Sequence, residues 1–138
     1  MRTLEERRVD LIVDPDKLLF AFDYWRKVHA PWAATEEGWE ILLWLRRSNK
    51  AAPRPLTSLY LNSDFSEPTV RLALKQFIDA GVVVLVRSKA DKRQQLVATT
   101  EKFDAAVALV GTMANAIVSG ATRKRRRSFR RSTPSERV

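Results

Sequence analysis

The stretch "SEPTVRLALKQFIDAGVVVLVRSKADKRQQLVATTEK" (Ser66–Lys102) decides the fold of this 138-residue chain. Ser66 is a residue type that caps helices, and Gly81 is a type that ends them. Apolar residues recur between them at helical spacing, at Val70, Ala73, Leu74, Phe77 and Ile78. Two segments rich in β-branched residues, "VVVLVR" and "QQLVAT", then flank a short polar turn. The pattern predicts a helix over residues 67–80 followed by a β-hairpin.

A short helix is predicted just before this stretch, in "PLTSLYLNS". Thr57 is placed to cap it, with Leu56 and Leu61 at the two positions of a hydrophobic staple. "SDF" then forms a tight break. A short helix and a tight turn that lead into a longer helix are typical of a helix-turn-helix.

Further helices flank this unit. Asp14 is a suitable cap for a helix in "DPDKLLFAFDYWRKVHAP", and Thr35 for an apolar core helix in "GWEILLWLRR". Thr100 and Glu101 open a last helix with an apolar stripe, while "SNKAAPRP" is predicted to be a linker. The sequence therefore predicts a mainly α protein with a small β-hairpin wing, a winged helix-turn-helix.

The outer face of the helix over residues 67–80 is the candidate site. A second helix of this kind fits the major groove of DNA, where its first residues meet base edges. Arg71 is the strongest base-reading candidate, because its planar fork matches the two acceptors of guanine. The remaining candidates are Ser66, Glu67, Pro68, Thr69, Leu72 and Lys75. The alternative is that Arg71 and Lys75 belong to an ordinary solvated face.

The hairpin tip is the second candidate site. It carries Arg87, Lys89, Lys92 and Arg93, with Asp91 among them. Cations suit a loop that reaches a polyanion, and an arginine is favoured in a narrow minor groove. Asp91 is placed to hold Arg93 or Arg87 through a paired hydrogen bond. The alternative is an ordinary turn in which Asp91 supplies turn chemistry and the cations supply solubility.

Residues from about Ala33 to Phe103 resemble the winged helix of MarR-type transcriptional regulators. The matching positions are Ser66, Thr69, Val70, Phe77, Gly81, Val82, Val83, Arg87, Asp91, Arg93 and Thr100. Thr99 and Tyr60 depart from the family pattern, which prefers Leu and Ala at these two places. Since Tyr60 is much larger than Ala, the two helices of the helix-turn-helix are expected to pack differently or farther apart.

The resemblance implies a homodimeric regulator, most often a repressor, that binds double-stranded DNA. It implies a dimerisation region formed by residues 1–34 and 101–120, with a DNA-binding domain over 35–100. The helix over 67–80 would then read the major groove, and a wing over 87–95 would place Arg93 in the minor groove with Asp91 as its partner. Small aromatic effectors are common in the family, and Trp25, Trp32 and Trp39 are candidate pocket residues. The alternative for these tryptophans is core packing.

Positive charge is concentrated at the end of the chain. The net charge is +9, yet residues 122–138 hold eight Lys and Arg and one Glu, against 17 basic and 15 acidic residues elsewhere. Residues 121–138 are expected to form a basic, disordered tail, and seven of its eight cations are the candidate contacts, namely Arg123, Lys124, Arg125, Arg126, Arg127, Arg130 and Arg131. The tail is interpreted as a nonspecific DNA arm. It is also compatible with RNA binding or a purely solubilising role, so a low-specificity nucleoid-type or RNA-associated protein is the alternative function.

Composition excludes several other classes. With no cysteine and one histidine, neither a disulfide framework nor a Cys- or His-based metal site is expected. The sequence shows no Gly-rich phosphate loop and no nucleophile–His–acid set, so we expect no cofactor and no enzymatic activity. Neither a signal peptide nor an uninterrupted apolar run of about 18 residues is present. We therefore expect a cytoplasmic, nucleoid-associated protein without a membrane span.

Overall fold

The computed structural model describes residues 13–47 and 52–131, with side chains up to Gly120. The elements in chain order are α1 (Pro15–Val28), a 3₁₀ turn (Pro31–Ala33), α2 (Glu36–Arg47), β1 (Arg54–Pro55), α3 (Leu56–Asn62), α4 (Glu67–Asp79), β2 (Val83–Arg87), β3 (Gln95–Thr99) and α5 (Glu101–Arg131). The predicted fold class, mainly helical with a small antiparallel sheet, is confirmed.

The chain divides into two compact units. One spans Trp25–Ala108, and the other combines the chain up to Tyr24 with the chain from Leu109 onward. The first, which we call the winged-helix unit, is longer than the predicted DNA-binding domain over residues 35–100. It also contains the end of α1, the 3₁₀ turn and the start of α5.

Two helix starts follow the predicted caps. At α1 the Asp14 carboxylate accepts the backbone N–H of Asp16 at 3.0 Å. At α2 the Thr35 hydroxyl accepts the backbone N–H of Gly38 at 3.0 Å. α2 then buries Ile41, Leu42, Trp44 and Leu45, which confirms it as a central core helix.

The sheet has three strands in the order β1-β3-β2. β2 and β3 form the predicted hairpin, with antiparallel register from Val83↔Thr99 to Arg87↔Gln95. β1 pairs with the other edge of β3, with Arg54 opposite Val97. The linker prediction for Arg54–Pro55 is therefore wrong. Pro55 is compatible with this position, because an edge strand can leave one N–H side unpaired.

An aromatic core holds the winged-helix unit together. Phe77 of α4 and Phe103 of α5 are fully buried, and Trp32 of the 3₁₀ turn lies between them. The Trp32 ring meets Phe77 edge-on, with centroids 4.9 Å apart, and lies 5.9 Å from Phe103. The Trp25 indole N–H donates to the Ala106 carbonyl at 2.8 Å. These contacts fix α4 to the first turns of α5.

The loop between α4 and β2 depends on Gly81, which has a φ of 76°. Such left-handed geometry favours glycine, so the predicted helix stop is confirmed. The Gly81 carbonyl also accepts a hydrogen bond from the Thr100 hydroxyl at 2.7 Å. The Thr100 backbone N–H donates to the Val82 carbonyl at 3.1 Å. The start of α5 is thereby tied to the end of α4.

α5 is longer than predicted. The sequence was expected to lose its pattern after Gly120, but the helix continues to Arg131. "ATRKRRRSFRR" contains no Gly or Pro and is rich in Arg, a good helix former. The predicted end of the helix at Gly120 is therefore wrong. The predicted contacts of the basic side chains in the tail, and residues 132–138, lie outside the described residues.

Apolar side chains are exposed on α1 and α5 within the second unit. Leu19 and Phe20 of α1 are 64% and 74% exposed, and Val118 of α5 is 37% exposed. By length and composition alone Glu101–Gly120 is also apolar enough to cross a membrane, with a mean hydropathy of 1.4 and 11% of it buried. Its first turns, however, are packed in the winged-helix unit through Phe103.

Candidate nucleic-acid interface

The first helix of the helix-turn-helix, α3, begins directly after β1. Pro55 occupies its N-cap position without a side-chain cap, so the prediction that Thr57 caps the helix is wrong. Leu59 is its buried residue, whereas Leu61 is 85% exposed. The predicted staple between Leu56 and Leu61 is therefore wrong as well. β1, rather than a cap, fixes where α3 starts.

The turn between α3 and α4 is held by a residue that the sequence reasoning missed. Glu40, on α2, accepts a hydrogen bond from the Ser63 hydroxyl and the backbone N–H of Asp64 at 3.3 Å. The Ser63 hydroxyl in turn accepts the N–H of Phe65 at 3.0 Å. Glu40 is the one acidic residue within the apolar part of α2. Because a part-buried carboxylate needs a partner, this position could have indicated a structural role for Glu40.

α4 begins at the predicted cap, with a different contact. Ser66 occupies the N-cap position, but its hydroxyl bonds the Thr69 hydroxyl at 2.9 Å rather than a backbone N–H. Ser66 is exposed, whereas Thr69 is half-buried. Both hydroxyls remain at the start of the helix, where backbone N–H groups and the helix dipole favour an anion.

The inner face of α4 is largely as predicted. Val70, Ala73, Leu74 and Phe77 are buried, while Ile78 is 37% exposed. Because four of the five predicted positions point inward, the orientation of the helix is fixed by its own sequence. The opposite side of α4 is therefore left to solvent within the winged-helix unit.

That outer face carries the predicted site residues together. The side chains of Arg71 and Glu67 are 68% and 53% exposed, and Leu72 is 67% exposed. Pro68 and Lys75 are exposed on the same side. The Arg71 guanidinium bonds the Glu67 carboxylate at 2.6 Å, one helical turn away.

Tyr60 of α3 lies beside Arg71. The guanidinium carbon is 5.8 Å from the centroid of the Tyr60 ring, within the range of a cation–π contact. The pKa of the Arg71 guanidinium is raised above its usual value, first by the Tyr60 side chain and then by Glu67. The Arg71 guanidinium, a cation like that of any arginine, thus has neighbours from both helices of the helix-turn-helix.

A cleft of about 600 Å³ lies beside Arg71, lined by residues of α3, α4 and the β2–β3 hairpin. Leu56 and Tyr60 line it from α3, and Pro68, Arg71 and Leu72 from α4. The cleft leaves the Arg71 side chain bordered by apolar surface on the outer side of the unit.

The wing is a structured turn. Ser88 is only 9% exposed. Its hydroxyl accepts hydrogen bonds from the backbone N–H groups of Ala90 and Asp91 at 3.2 and 3.3 Å. The Ser88 N–H donates to the Gln94 carbonyl at 3.0 Å, closing the loop. Ser88 was also missed by the sequence reasoning. A serine at the start of a polar turn was the available signal.

Asp91 follows the alternative interpretation of the hairpin tip, in which it supplies turn chemistry. Its carboxylate accepts the backbone N–H of Arg93 at 3.0 Å, and the Arg87 guanidinium donates to the Lys92 carbonyl at 2.9 Å. Neither guanidinium is paired with Asp91 in the described part of the chain, so the predicted paired hydrogen bond is not found. Asp91 supplies turn chemistry, and the exposed side chains of Lys89, Lys92 and Arg93 leave the tip cationic.

The three tryptophans proposed as pocket residues have packing roles. Trp25 and Trp32 are 2% and 8% exposed within the aromatic core. Trp39 is half-buried, with the Arg26 guanidinium carbon 5.2 Å from its ring. The positions of these side chains favour the interpretation as core over that of a ligand pocket. Among the described residues no cluster of His, Cys, Asp and Glu is suited to a metal ion.

Solved structures share this arrangement. No protein-family model and no curated protein sequence matches the chain. A transcriptional regulator of Thermotoga maritima, Tm0710, matches with a TM-score of 0.57 at 18% identity, over 79% of this chain and 78% of that one. The chain has the winged-helix fold of MarR-type transcriptional regulators.

Two further structures with the MarR-type fold contain DNA. Reduced AbfR bound to DNA matches with a TM-score of 0.51 at 22% identity, over 82% of this chain and 79% of that one. AbfR comes from Staphylococcus epidermidis. The transcriptional repressor CouR, bound to a 23-mer duplex, matches with a TM-score of 0.52 at 19% identity, over 92% of this chain and 87% of that one. At these identities the likeness establishes the MarR-type fold.

Proposed function

We propose that the protein is a homodimeric, sequence-specific DNA-binding transcriptional regulator that acts as a repressor by blocking a promoter. The observation that carries the proposal is the exposed outer face of α4, where Arg71 and Leu72 are about two-thirds exposed. A helix with buried Val70 and Phe77 on one side and these residues on the other is built to meet a partner. Such a regulator acts at the nucleoid, in the cytoplasm.

Recognition is assigned to α4 in the major groove. Arg71 reads a guanine through two donors, and Leu72 contacts a thymine methyl group. Ser66, Thr69 and Lys75 bind phosphate or base edges near the start of the helix, where phosphate contacts set the register. Glu67 and Pro68 complete the face. The wing, residues 87–95, lies at the minor groove with Arg93 at its tip, where narrow grooves attract arginine.

Dimerisation is assigned to the exposed apolar sides of α1 and α5. Leu19 and Phe20 are 64% and 74% exposed in the single chain, which is unusual for large apolar side chains. A second copy of the chain would remove this surface from water. The MarR-type fold supports that assignment, because a two-fold dimer matches a pseudo-palindromic operator. An aromatic effector is left out of the proposal, since Trp25 and Trp32 belong to the core.

The basic tail is assigned a nonspecific role. The basic residues of the tail would neutralise DNA phosphates and so strengthen binding to every sequence alike. The alternative function gives this tail the dominant role, as a low-specificity nucleoid-type or RNA-associated protein. The two functions differ in whether sequence preference resides in the winged-helix unit.

Selection from a random-sequence duplex library separates them. The full chain and a version without residues 122–138 are each allowed to bind the library at moderate salt, and bound duplexes are sequenced. The proposal predicts that both enrich the same pseudo-palindromic site, with weaker binding overall after truncation. Specific regulators prefer their sites by about 10³-fold or more. If neither protein enriches any sequence, and truncation abolishes binding, the regulator proposal is wrong and the alternative holds.

A further inference from the structure

The contact between Arg71 and Glu67 on the outer face of α4 has a role beyond charge balance. We infer that Glu67 and Tyr60 are positioning residues that hold the Arg71 guanidinium in one orientation before DNA binds, and so determine how strictly Arg71 selects its base. The inference rests on the proposed DNA-reading function of α4. It assigns base specificity to two residues that need not touch a base themselves.

The geometry supplies two anchors from different directions. Glu67 holds one terminal nitrogen of Arg71 at 2.6 Å from within α4. The Tyr60 ring approaches from α3, with its centroid 5.8 Å from the guanidinium carbon. One hydrogen bond alone would leave the guanidinium free to rotate about that contact. The ring of Tyr60, on a second element, restricts that freedom because it lies within cation–π range of the group.

The pairing leaves the donors of Arg71 available. A guanidinium has five N–H groups in a fixed fork, and the Glu67 contact uses one terminal nitrogen. The fork therefore has further N–H groups beyond the one that Glu67 holds, and two of them can meet the two acceptors of guanine. Arg71 is 68% exposed in this position, so the held orientation is also an accessible one. Without the anchors, ordering a long side chain on binding would cost affinity for the correct base.

Glu67 has a second, opposite effect on binding. A carboxylate on a surface that approaches DNA repels phosphates, whatever the sequence. Removing its charge should therefore strengthen binding to all duplexes while weakening the preference for one base. A purely structural role for Glu67 would not change these two quantities in opposite directions. That combination is the signature of a positioning residue.

The experiment compares the full chain with Glu67→Gln, Tyr60→Ala and Arg71→Ala by selection from the same random duplex library. Base preference at each position of the enriched site is the readout, together with affinity for a scrambled duplex. Arg71→Ala should flatten the preference at one position in each half-site. Glu67→Gln and Tyr60→Ala should reduce it at that same position by about two- to twelvefold, the cost of ordering one long side chain. Glu67→Gln should also bind the scrambled duplex more tightly.

The matched control is Asp79→Asn. It removes one exposed carboxylate from the other end of α4, away from Arg71, and should leave the base preference unchanged. Thermal unfolding of each variant checks that the fold is kept. If Arg71→Ala flattens a position that Glu67→Gln and Tyr60→Ala leave as in the wild type, the positioning inference is wrong while the regulator proposal stands. If Arg71→Ala changes no position, the assignment of Arg71 as the reader is wrong, and the inference with it.

Discussion

The Glu40 carboxylate of α2 accepts a hydrogen bond from the Ser63 hydroxyl in the turn between α3 and α4. It also accepts the backbone N–H of Asp64 at 3.3 Å. One core helix thus holds the turn that leads into α4. We therefore expect the stability of the unit and the position of the outer face of α4 to depend on the same carboxylate.

We predict that Glu40→Ala destabilises the protein by about 1–3 kcal/mol, because it leaves part-buried donors of the turn without an acceptor. Specific DNA affinity should fall further than stability alone explains, since α4 loses its fixed start. Urea unfolding and titration with the selected duplex measure the two effects. Asp79→Asn, an exposed carboxylate without such a role, is the control. A variant with wild-type stability would show that the turn holds itself.

The parts of the fold that the sequence predicted are those with local signals. The inner stripe of α4, the stop at Gly81 and the caps at Asp14 and Thr35 depend on neighbouring residues, so the pattern contains them. The placement of β1 beside β3 could not be predicted, because it depends on pairing between Arg54 and Val97, which are far apart in sequence. The extension of α5 to Arg131 was missed because high charge was interpreted as disorder.

In the candidate site, too, local features were predicted from the sequence and contacts between separate elements were not. The sequence identified which residues of α4 face outward, because the apolar stripe defines the buried side and the other positions lie opposite it. It did not predict the contact of Arg71 with Tyr60, which joins two helices. For Asp91 the sequence left two interpretations open, and the contact of its carboxylate with the backbone N–H of Arg93 agrees with the one that assigned it turn chemistry. Asx turns of this kind are common.

Gly38 is predicted to be intolerant of any side chain. A Cβ at this position would lie 3.0 Å from the Thr35 hydroxyl oxygen, 3.1 Å from Ala33 Cα and 3.1 Å from the Trp32 carbonyl oxygen. Because two of these atoms belong to the backbone, Gly38→Ala should destabilise the protein by about 1–3 kcal/mol. Gly111→Ala, in a helix with nothing within 4 Å of the added carbon, should stabilise it by up to about 1 kcal/mol. Urea unfolding of both variants is the measurement, and equal effects would contradict the close packing.

Arg54 is predicted to stabilise the end of α2. Its guanidinium carbon lies 3.9 Å from the Trp44 ring, and its Nη1 donates to the Trp44 carbonyl at 2.8 Å. Arg54→Ala should cost about 1–2 kcal/mol through the lost stacking and hydrogen bond. Arg54→Lys should recover only part of this, because an ammonium lacks the planar fork. Thermal unfolding followed by tryptophan fluorescence measures both, and full recovery by lysine would show that charge alone matters.

The wing cations are predicted to contribute through phosphate contacts and groove insertion. Lys92→Ala should make the fall of log affinity with log salt less steep by about 0.9 for each bound subunit, the value for one lost phosphate contact. It should do so for specific and scrambled duplexes alike. Lys17→Ala, on α1, is the control and should leave the slope unchanged. Fluorescence anisotropy over a salt series measures the slopes, and unchanged slopes for Lys92→Ala would place the wing away from DNA.

The exposed apolar side of α1 is predicted to be a subunit interface. Phe20→Glu should raise the dimer dissociation constant by about 30-fold or more, the effect expected for a central interface residue. The winged-helix unit should remain folded, because Phe20 lies outside it and is 74% exposed in the single chain. Gln76→Glu, which adds the same charge to α4, should leave the dimer intact. Sedimentation equilibrium over a concentration series measures association, and circular dichroism confirms folding. A wild-type protein that stays monomeric at micromolar concentration would refute the homodimer, and with it the pseudo-palindromic site that the dimer requires.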